Sequence, residues 1–167
     1  MAGKINSPSR SLKTRAGALN QLKVTVTFKV TVTLLTHMFT EKEIAYINSQ
    51  HLARLATVSS SGQTDVAPVG FRFDGMKFFI TGFDITKTFK YKNVKAGNNK
   101  VSLVIDDLAS VQPWVARGVK VHGTAENVEG GGRASMVIHP KRLWSWGVDD
   151  VAFKDGEPYS RKASVEE

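Results

Sequence analysis

Apolar and polar residues alternate in short runs along most of the chain, which is the period of β-strands that bury one face. Turn residues separate the runs, and Asp74-Gly75 is the strongest short hairpin signal among them. Together the runs predict six strands: Leu52–Ser59, Thr64–Phe73, Met76–Thr81, Val101–Ile105, Val115–Asn127 and Ala134–Trp146. Because these strands are short and mostly hairpin-linked, we expect a mainly β fold, a closed or nearly closed six-stranded antiparallel barrel.

Two short helices are predicted to flank the barrel. Thr40 and Glu43 form a Thr-x-x-Glu capping box, which starts a helix that runs to about Gln50. A second helix is expected over Lys87–Ala96, with Thr86 as its N-cap. A parallel doubly wound sheet would need longer helices between its strands, so the pattern excludes that class.

The first 37 residues differ from the rest of the chain. They carry six bases and no acid, a charge of +6, whereas the remaining residues carry 17 bases and 15 acids, a charge of +2. Three interpretations of this extension stay open: an added edge strand, because residues 23–33 alternate strictly; a targeting leader; or sequence upstream of a true start at Met38. We expect the domain to span residues 38–150 and a polar tail to follow over residues 151–167.

Several kinds of chemistry are missing from the sequence. The chain has no cysteine, which excludes a disulfide scaffold and a thiolate site and favours a cytoplasmic location. Its apolar runs are shorter than a membrane span, so no membrane partner is expected. The positive charge belongs mostly to the extension and is weak evidence for a nucleic-acid partner, so none is expected. The four histidines are too far apart to show metal-ligand spacing, and no metal is predicted.

Polar and basic residues gather at the start of the predicted second helix: Thr86, Lys87, Thr88, Lys90, Lys92 and Asn93. Backbone N–H groups at a helix N-terminus attract anions, and hydroxyl and ammonium donors beside them would complete a phosphate site. A lysine run on a short helix is more often a solvated face, however. The pattern alone therefore leaves both interpretations open.

Four stretches, in their order and spacing, resemble the pyridoxamine 5′-phosphate oxidase-like FMN-binding split-barrel family. Within that family, the greatest similarity is to the branch that uses the deazaflavin coenzyme F-420. The stretches are Arg54–Val58 with Ser61-Gly62, Pro68–Phe71, Lys90–Val94, and Ile138–Arg142 with Trp144–Asp149. The resemblance covers nearly the whole predicted domain.

This resemblance implies a homodimeric split β-barrel that transfers a hydride from coenzyme F-420 to an electron-poor small-molecule substrate. Two alternatives remain, an FMN-dependent oxidoreductase of the same family and a non-catalytic cofactor- or haem-binding protein. A flavin or deazaflavin carries the hydride chemistry itself, so the protein's task is to bind, orient and exclude water. That division of labour fits a chain in which we identify no catalytic residue.

The resemblance also implies how the cofactor phosphate is held. Lys90 and Thr88 would bind the phosphate, and Asn93 would hold their segment in place. Phe89 stands where relatives often have Arg, which shifts part of the phosphate binding to Lys87 or Lys92.

The tricyclic ring would have its own contacts. Thr57, Pro68 and Val69 would lie against it. Trp114 would approach the cofactor from the second subunit, or serve only as a core or interface aromatic.

Overall fold

The structure, a computed structural model, describes residues 38–130, 133–149, 153–154 and 157–165. Its helices and strands, in chain order, are α1 (Glu41–Ser49), β1 (Leu52–Val58), β2 (Thr64–Phe73), β3 (Phe78–Ile80), α2 (Phe89–Lys95), β4 (Lys100–Ser110), β5 (Val115–Val128), β6 (Ser135–Trp146), β7 (Phe153–Lys154), β8 (Glu157–Pro158) and β9 (Arg161–Ser164). A single 3-10 turn, Ile85–Lys87, precedes α2. The interpretations of residues 1–37 lie outside the described residues.

The strands form one antiparallel sheet in the order β3-β2-β1-β4-β5-β6-β9. β3 also pairs with β6, where Phe78 lies opposite Ile138. This second pairing joins the two ends of the six-strand series and closes it. The predicted mainly β, six-stranded antiparallel barrel with two short helices is therefore confirmed.

The barrel core follows from the alternation read in the sequence. On β1, the buried side chains are Ala53, Leu55 and Thr57, and the residues between them face outward. Every second side chain of a strand points to the same face, so each strand contributes one apolar row to the interior. Stacked and edge-on aromatic rings fill one part of this core, with Phe73 and Phe78 at 4.4 Å between centroids.

The start of α1 agrees with the sequence prediction, whereas the start of α2 does not. The capping box of α1 is present: the Thr40 hydroxyl accepts the Glu43 N–H at 3.2 Å, and the Glu43 carboxylate accepts the Thr40 N–H at 2.8 Å. α2 begins at Phe89, two residues later than predicted, and Thr86 is not its N-cap. The Thr86 hydroxyl instead donates to Asp84 at 2.7 Å, within the 3-10 turn that replaces the first helical residues.

Two strands differ from their predicted bounds by more than one residue. β3 starts at Phe78 rather than Met76, because the Asp74 carboxylate accepts the N–H groups of Met76 and Lys77 at 2.9 and 2.7 Å and keeps them in the turn. β4 continues to Ser110, well beyond the predicted Ile105. The β4–β5 hairpin is therefore longer than the sequence pattern indicated.

The C-terminal residues contribute to the fold, whereas the sequence predicted only a polar tail. β9 pairs with β6, where Leu143 lies opposite Ala163. From β9, Arg161 donates to both carboxylate oxygens of Glu43 at 2.9 Å, and Glu43 is fully buried. A charged residue thus fastens this strand to α1, a contact that hydrophobic periodicity does not reveal.

Candidate functional site

A groove of about 620 Å³ lies where β1, β4, β5 and β6 meet at the barrel wall. It is lined by Ala56, Thr57, Val58, Thr64, Lys100, Val101, Ser102, His122, Gly123, Thr124, Lys141 and Arg142. Ala56 and Val58 point away from the barrel interior and give the groove an apolar side. Hydroxyl and cationic side chains supply the rest, so the groove offers an apolar surface next to positive charge.

Three cations converge on this groove. Lys100, Lys141 and Arg142 form no ion pair with any carboxylate among the described residues. Cations without a nearby carboxylate favour an anionic ligand, because charge-assisted hydrogen bonds to phosphate or carboxylate are stronger than hydrogen bonds between neutral groups. The groove therefore has the electrostatics of an anion site.

A β-bulge explains why two successive residues of β6 line the same groove. The register steps from His122 opposite Arg142 to Gly123 opposite Pro140, which leaves Lys141 as the extra residue. Bulges re-aim side chains and tolerate proline, which has no N–H for the ladder. Gly123 is required here, since a Cβ would clash with the His139 carbonyl oxygen.

His122 lies in the groove on the outer wall of β5. Its ring meets Trp144 edge-on, with centroids 4.7 Å apart. Lys120 covers the same indole, its ammonium 4.4 Å from the ring centroid. Partial burial, with Lys120 and Arg142 nearby, holds the pKa of His122 below its ordinary value, so its imidazole is neutral at pH 7.

Thr57 and Asn93 are the two predicted site residues that the structure brings into direct contact. The Asn93 amide on α2 donates to the Thr57 hydroxyl on β1 at 2.9 Å. Both side chains are buried, and Thr57 is only 1% exposed. Since Thr57 also lines the groove, this bond connects α2 to the candidate site.

The lysines of α2 occupy different environments. Lys90 precedes Asn93 by three residues and so shares its helix face. It is half-buried, whereas Lys92 and Lys95 are exposed. Lys90 does not line the groove. Of the three lysines of α2, however, it is the one that lies on the same helix face as Asn93. Lys87, outside the helix, is ion-paired with Asp84 at 2.8 Å.

Thr88 has its hydrogen-bond donors occupied. Its hydroxyl donates to the Ile85 carbonyl at 2.6 Å, and its backbone N–H donates to the same oxygen at 3.0 Å. A phosphate oxygen needs a donor, and a hydroxyl supplies only one proton. In this arrangement Thr88 shapes the turn before α2, and the sequence hypothesis that it binds phosphate requires its side chain to rotate.

The other predicted ring contacts are dispersed. Pro68 is exposed on the outer wall of β2, whereas its neighbour Val69 is buried in the barrel core. Successive strand residues point to opposite faces, so one ring cannot contact both side chains from the same side. Trp114 stands at the tip of the β4–β5 hairpin, 67% exposed, next to the equally exposed Val111.

Sequence reasoning missed most of the groove's polar lining. Lys100, Ser102 and Thr124 were not named, and Lys141 and Arg142 entered only as part of a resembling stretch. Alternation on β4 and β5 could have placed Ser102 on the outer wall. Pro140 signals an irregularity in the predicted strand, but it does not predict that Lys141 is added to the groove. Among the described residues there is no cluster of His, Cys, Asp or Glu that could hold a metal, and no helix is long and apolar enough to cross a membrane.

Comparison with known proteins agrees with this architecture. The sequence profile of the family described as pyridoxamine 5′-phosphate oxidase matches residues 39–146. A 5a,11a-dehydrotetracycline/5a,11a-dehydrooxytetracycline reductase of Streptomyces rimosus is 40% identical over 121 residues, which cover 66% of this chain and 84% of that protein.

Solved structures show the same fold at low identity. A conserved hypothetical protein of Mycobacterium tuberculosis matches with a TM-score of 0.57 and 21% identity, over 70% of this chain and 89% of that one. A haem-binding protein of Mycobacterium smegmatis matches with a TM-score of 0.55 and 16% identity, over 74% of this chain and 57% of that one.

Proposed function

This chain belongs to the pyridoxamine 5′-phosphate oxidase family and is an oxidoreductase, and we propose that it transfers a hydride from reduced coenzyme F-420 to an electron-poor organic substrate. The observation that carries the proposal is the groove, where three cations that have no ion pair within the described part of the chain lie beside an apolar wall. A flavin-type cofactor needs both features, because its ring is flat and largely apolar and its tail is anionic.

The residues of the groove fit such a cofactor. Ala56 and Val58 supply apolar contact for a ring, and Ser102, which lies opposite Ala56 on the same outer wall, supplies a hydroxyl. Lys141 and Arg142 are placed to hold an anionic tail. The cofactor supplies the hydride when bound, and the protein's residues orient it and shield it from water.

We propose the deazaflavin rather than FMN for two reasons. The closing stretch Trp144–Asp149 resembles the deazaflavin branch of the family. The tail of coenzyme F-420 also carries more negative charge than the single phosphate of FMN, and three cations in one groove suit the more highly charged ligand. FMN is the alternative.

For the substrate, we propose a carbon–carbon double bond conjugated to a carbonyl or quinone-like ring. The relative at 40% identity is named as a reductase of dehydro-compounds, which makes this acceptor class the first to test. Hydride addition reduces the double bond by two electrons, a proton from water completes the saturated product, and the cofactor is left oxidised.

We further propose that the working form is a homodimer. The groove is open on the outer wall, and the hairpin tip exposes Val111 and Trp114 beyond the barrel. Exposed large apolar side chains next to each other mark interaction surfaces. A second copy would cover such a surface and narrow the groove. Light scattering that gives one chain's mass, with cofactor binding intact, would contradict this.

The test is a parallel titration of the purified protein with coenzyme F-420 and FMN, followed by oxidation of the reduced deazaflavin in the presence of enones. We expect tight deazaflavin binding and enone-dependent oxidation. Arg142→Ala should weaken deazaflavin binding by about 10- to 150-fold, the value of a charge-assisted hydrogen bond. Lys77→Ala, in the β2–β3 turn, removes a lysine outside the groove and is the control.

His122 favours a second candidate function, haem binding. Its imidazole is neutral at pH 7 and lies in the groove, and neutral imidazole is a haem ligand. The groove's cations would then meet the haem propionates. Titration with haemin, comparing the parent with His122→Ala, tests this: a Soret shift that His122→Ala removes, without deazaflavin turnover by the parent, would replace the reductase proposal.

A further inference from the structure

We propose that a hollow between β6 and β9 binds the substrate and selects a planar acceptor that carries an anionic oxygen. This inference rests on the proposed function, because it narrows the substrate class of the same reaction. It assigns Trp144 as the surface on which the substrate ring stacks and Lys162 as the residue that selects its charge. Both residues lie outside the groove proposed for the cofactor.

The hollow has a volume of about 320 Å³ and lies where β6 pairs with β9. Lys162 lies opposite Trp144 in the strand register. Its neighbour Arg161 points inward to Glu43, so alternation directs Lys162 to the outer wall. The ammonium and the indole therefore border the same hollow, which is lined by Arg142, Leu143, Trp144, Lys162, Ala163 and Ser164.

The indole of Trp144 is held from the β5 side. The Lys120 ammonium lies 4.4 Å from the ring centroid, and the His122 ring meets the indole edge-on with centroids 4.7 Å apart. Both contacts come from β5, whereas the hollow lies toward β9. The indole is thus fixed on one side and borders the hollow on the other. Such a surface favours a flat ligand, because stacked rings attract each other beyond the burial of their area.

The cations beside the indole determine the charge of the ligand. Neither Lys162 nor Arg142 forms an ion pair with a carboxylate in the part of the chain that the structure describes. Charge-assisted hydrogen bonds to an anionic oxygen are stronger than those between neutral groups. A ring that carries an ionised enol, phenol or carboxylate therefore fits this hollow better than a neutral ring of the same shape.

Two residues connect the hollow to the groove. Arg142 lines both, and His122, which lines the groove, contacts Trp144. A ligand stacked on Trp144 consequently lies beside a cofactor in the groove, as hydride transfer requires, since reacting atoms must approach to about 3–3.5 Å. The anionic oxygen takes no part in the redox step. The hydride adds to the double bond, a proton from water completes the product, and the cofactor is left oxidised.

The first test is a calorimetric titration of the purified full chain with 2-hydroxy-1,4-naphthoquinone, which is ionised at pH 7, and with its neutral 2-methoxy analogue. The parent should bind the ionised quinone more tightly. Lys162→Met should reduce this preference about two- to fivefold, the size of an exposed ion pair, without changing the affinity for the methoxy compound. Lys162→Arg keeps the charge and should bind like the parent, as should Lys77→Met, which lies outside the hollow. An unchanged preference in Lys162→Met would overturn the proposal.

The second test concerns the stacking surface. Trp144→Leu removes the aromatic ring and leaves the cations, so the affinity should fall about two- to tenfold for both quinones by the same factor. Thermal melting of this variant shows whether it is folded. A folded Trp144→Leu that binds both quinones like the parent would contradict the role of the indole.

The third test separates the substrate from the anionic tail of the cofactor, whose chemistry suits the same cations. Fluorescence titration with coenzyme F-420 should give the same affinity for Lys162→Met and the parent. Weaker cofactor binding by Lys162→Met, with unchanged quinone binding, would assign the hollow to the tail and overturn the proposal. A parent that prefers the ionised quinone but oxidises no reduced deazaflavin would contradict the proposed function and support the ligand class of the hollow.

Discussion

Replacing Arg161 is expected to destabilise the protein strongly, because it leaves a buried charge without its partner. Glu43 is fully buried, and its carboxylate receives Arg161 at 2.9 Å, the Ser145 hydroxyl at 2.5 Å and the Thr40 N–H at 2.8 Å. Only Arg161 among these donors carries a positive charge. In Arg161→Ala the two neutral donors remain and the charge compensation is lost.

Removing one partner of a buried ion pair costs about 3–5 kcal/mol. A domain of this size loses roughly 2–4 °C of melting temperature per kcal/mol, so Arg161→Ala should melt about 6–20 °C below the parent. Urea unfolding followed by circular dichroism measures the free energy directly. Lys162→Ala, next to it on β9 and exposed, is the matched control and should stay within about 0.5 kcal/mol of the parent.

A double variant shows whether the unpaired charge is the cause. Glu43→Gln removes the charge and keeps a side chain that a capping box accepts. The pair Glu43→Gln/Arg161→Ala should therefore be more stable than Arg161→Ala alone. The reasoning is refuted if Arg161→Ala lies within about 1 kcal/mol of the parent, or if the double variant loses the sum of the two single effects.

Three further outcomes are expected. The family resemblance predicts that Lys90 holds the cofactor phosphate, whereas the groove proposal predicts little effect of Lys90→Ala because Lys90 does not line the groove; a titration in which Lys90→Ala weakens deazaflavin binding by about 10- to 150-fold, with the loss diminishing as salt is added, would support the phosphate position at α2. Thr88→Ala should cost less in the same titration, because its hydroxyl already donates to a carbonyl. The hydrogen bond from Arg117 lowers the pKa of Asp107. This pair therefore stabilises the fold above about pH 4, and its contribution to the free energy of unfolding is lost as the pH falls through the lowered pKa. In Asp107→Asn, the free energy of unfolding should depend less on pH in this acid range. A chain that starts at Met38 should melt and bind cofactor like the full chain, and a loss of several degrees would contradict that.

Local patterns predicted the barrel because the alternation within each strand identifies the side chains that face the interior. Alternating residues such as Ala53 and Leu55 need no partner to be recognised, and the Thr40–Glu43 box marks the start of α1 through contacts three residues apart. Two of the boundary errors occurred at aspartates whose side chains bind residues two or three positions further along the chain. Asp74 and Asp84 each hold a turn, and they delay the starts of β3 and α2 relative to the predicted bounds.

The groove was harder to predict because it depends on strand register rather than on strand identity. Lys141 and Arg142 are neighbours and would point to opposite faces of a regular strand. They line one groove because β6 carries an extra residue opposite β5, at the point where Pro140 cannot donate to the ladder and Gly123 leaves room for the His139 carbonyl. Proline within a strand signals an irregularity in the sequence, but its consequence for two cations appears only when the partner strand is known. The sequence thus shows which residues are cationic, but the pairing of β5 with β6 determines that Lys141 and Arg142 line the same groove.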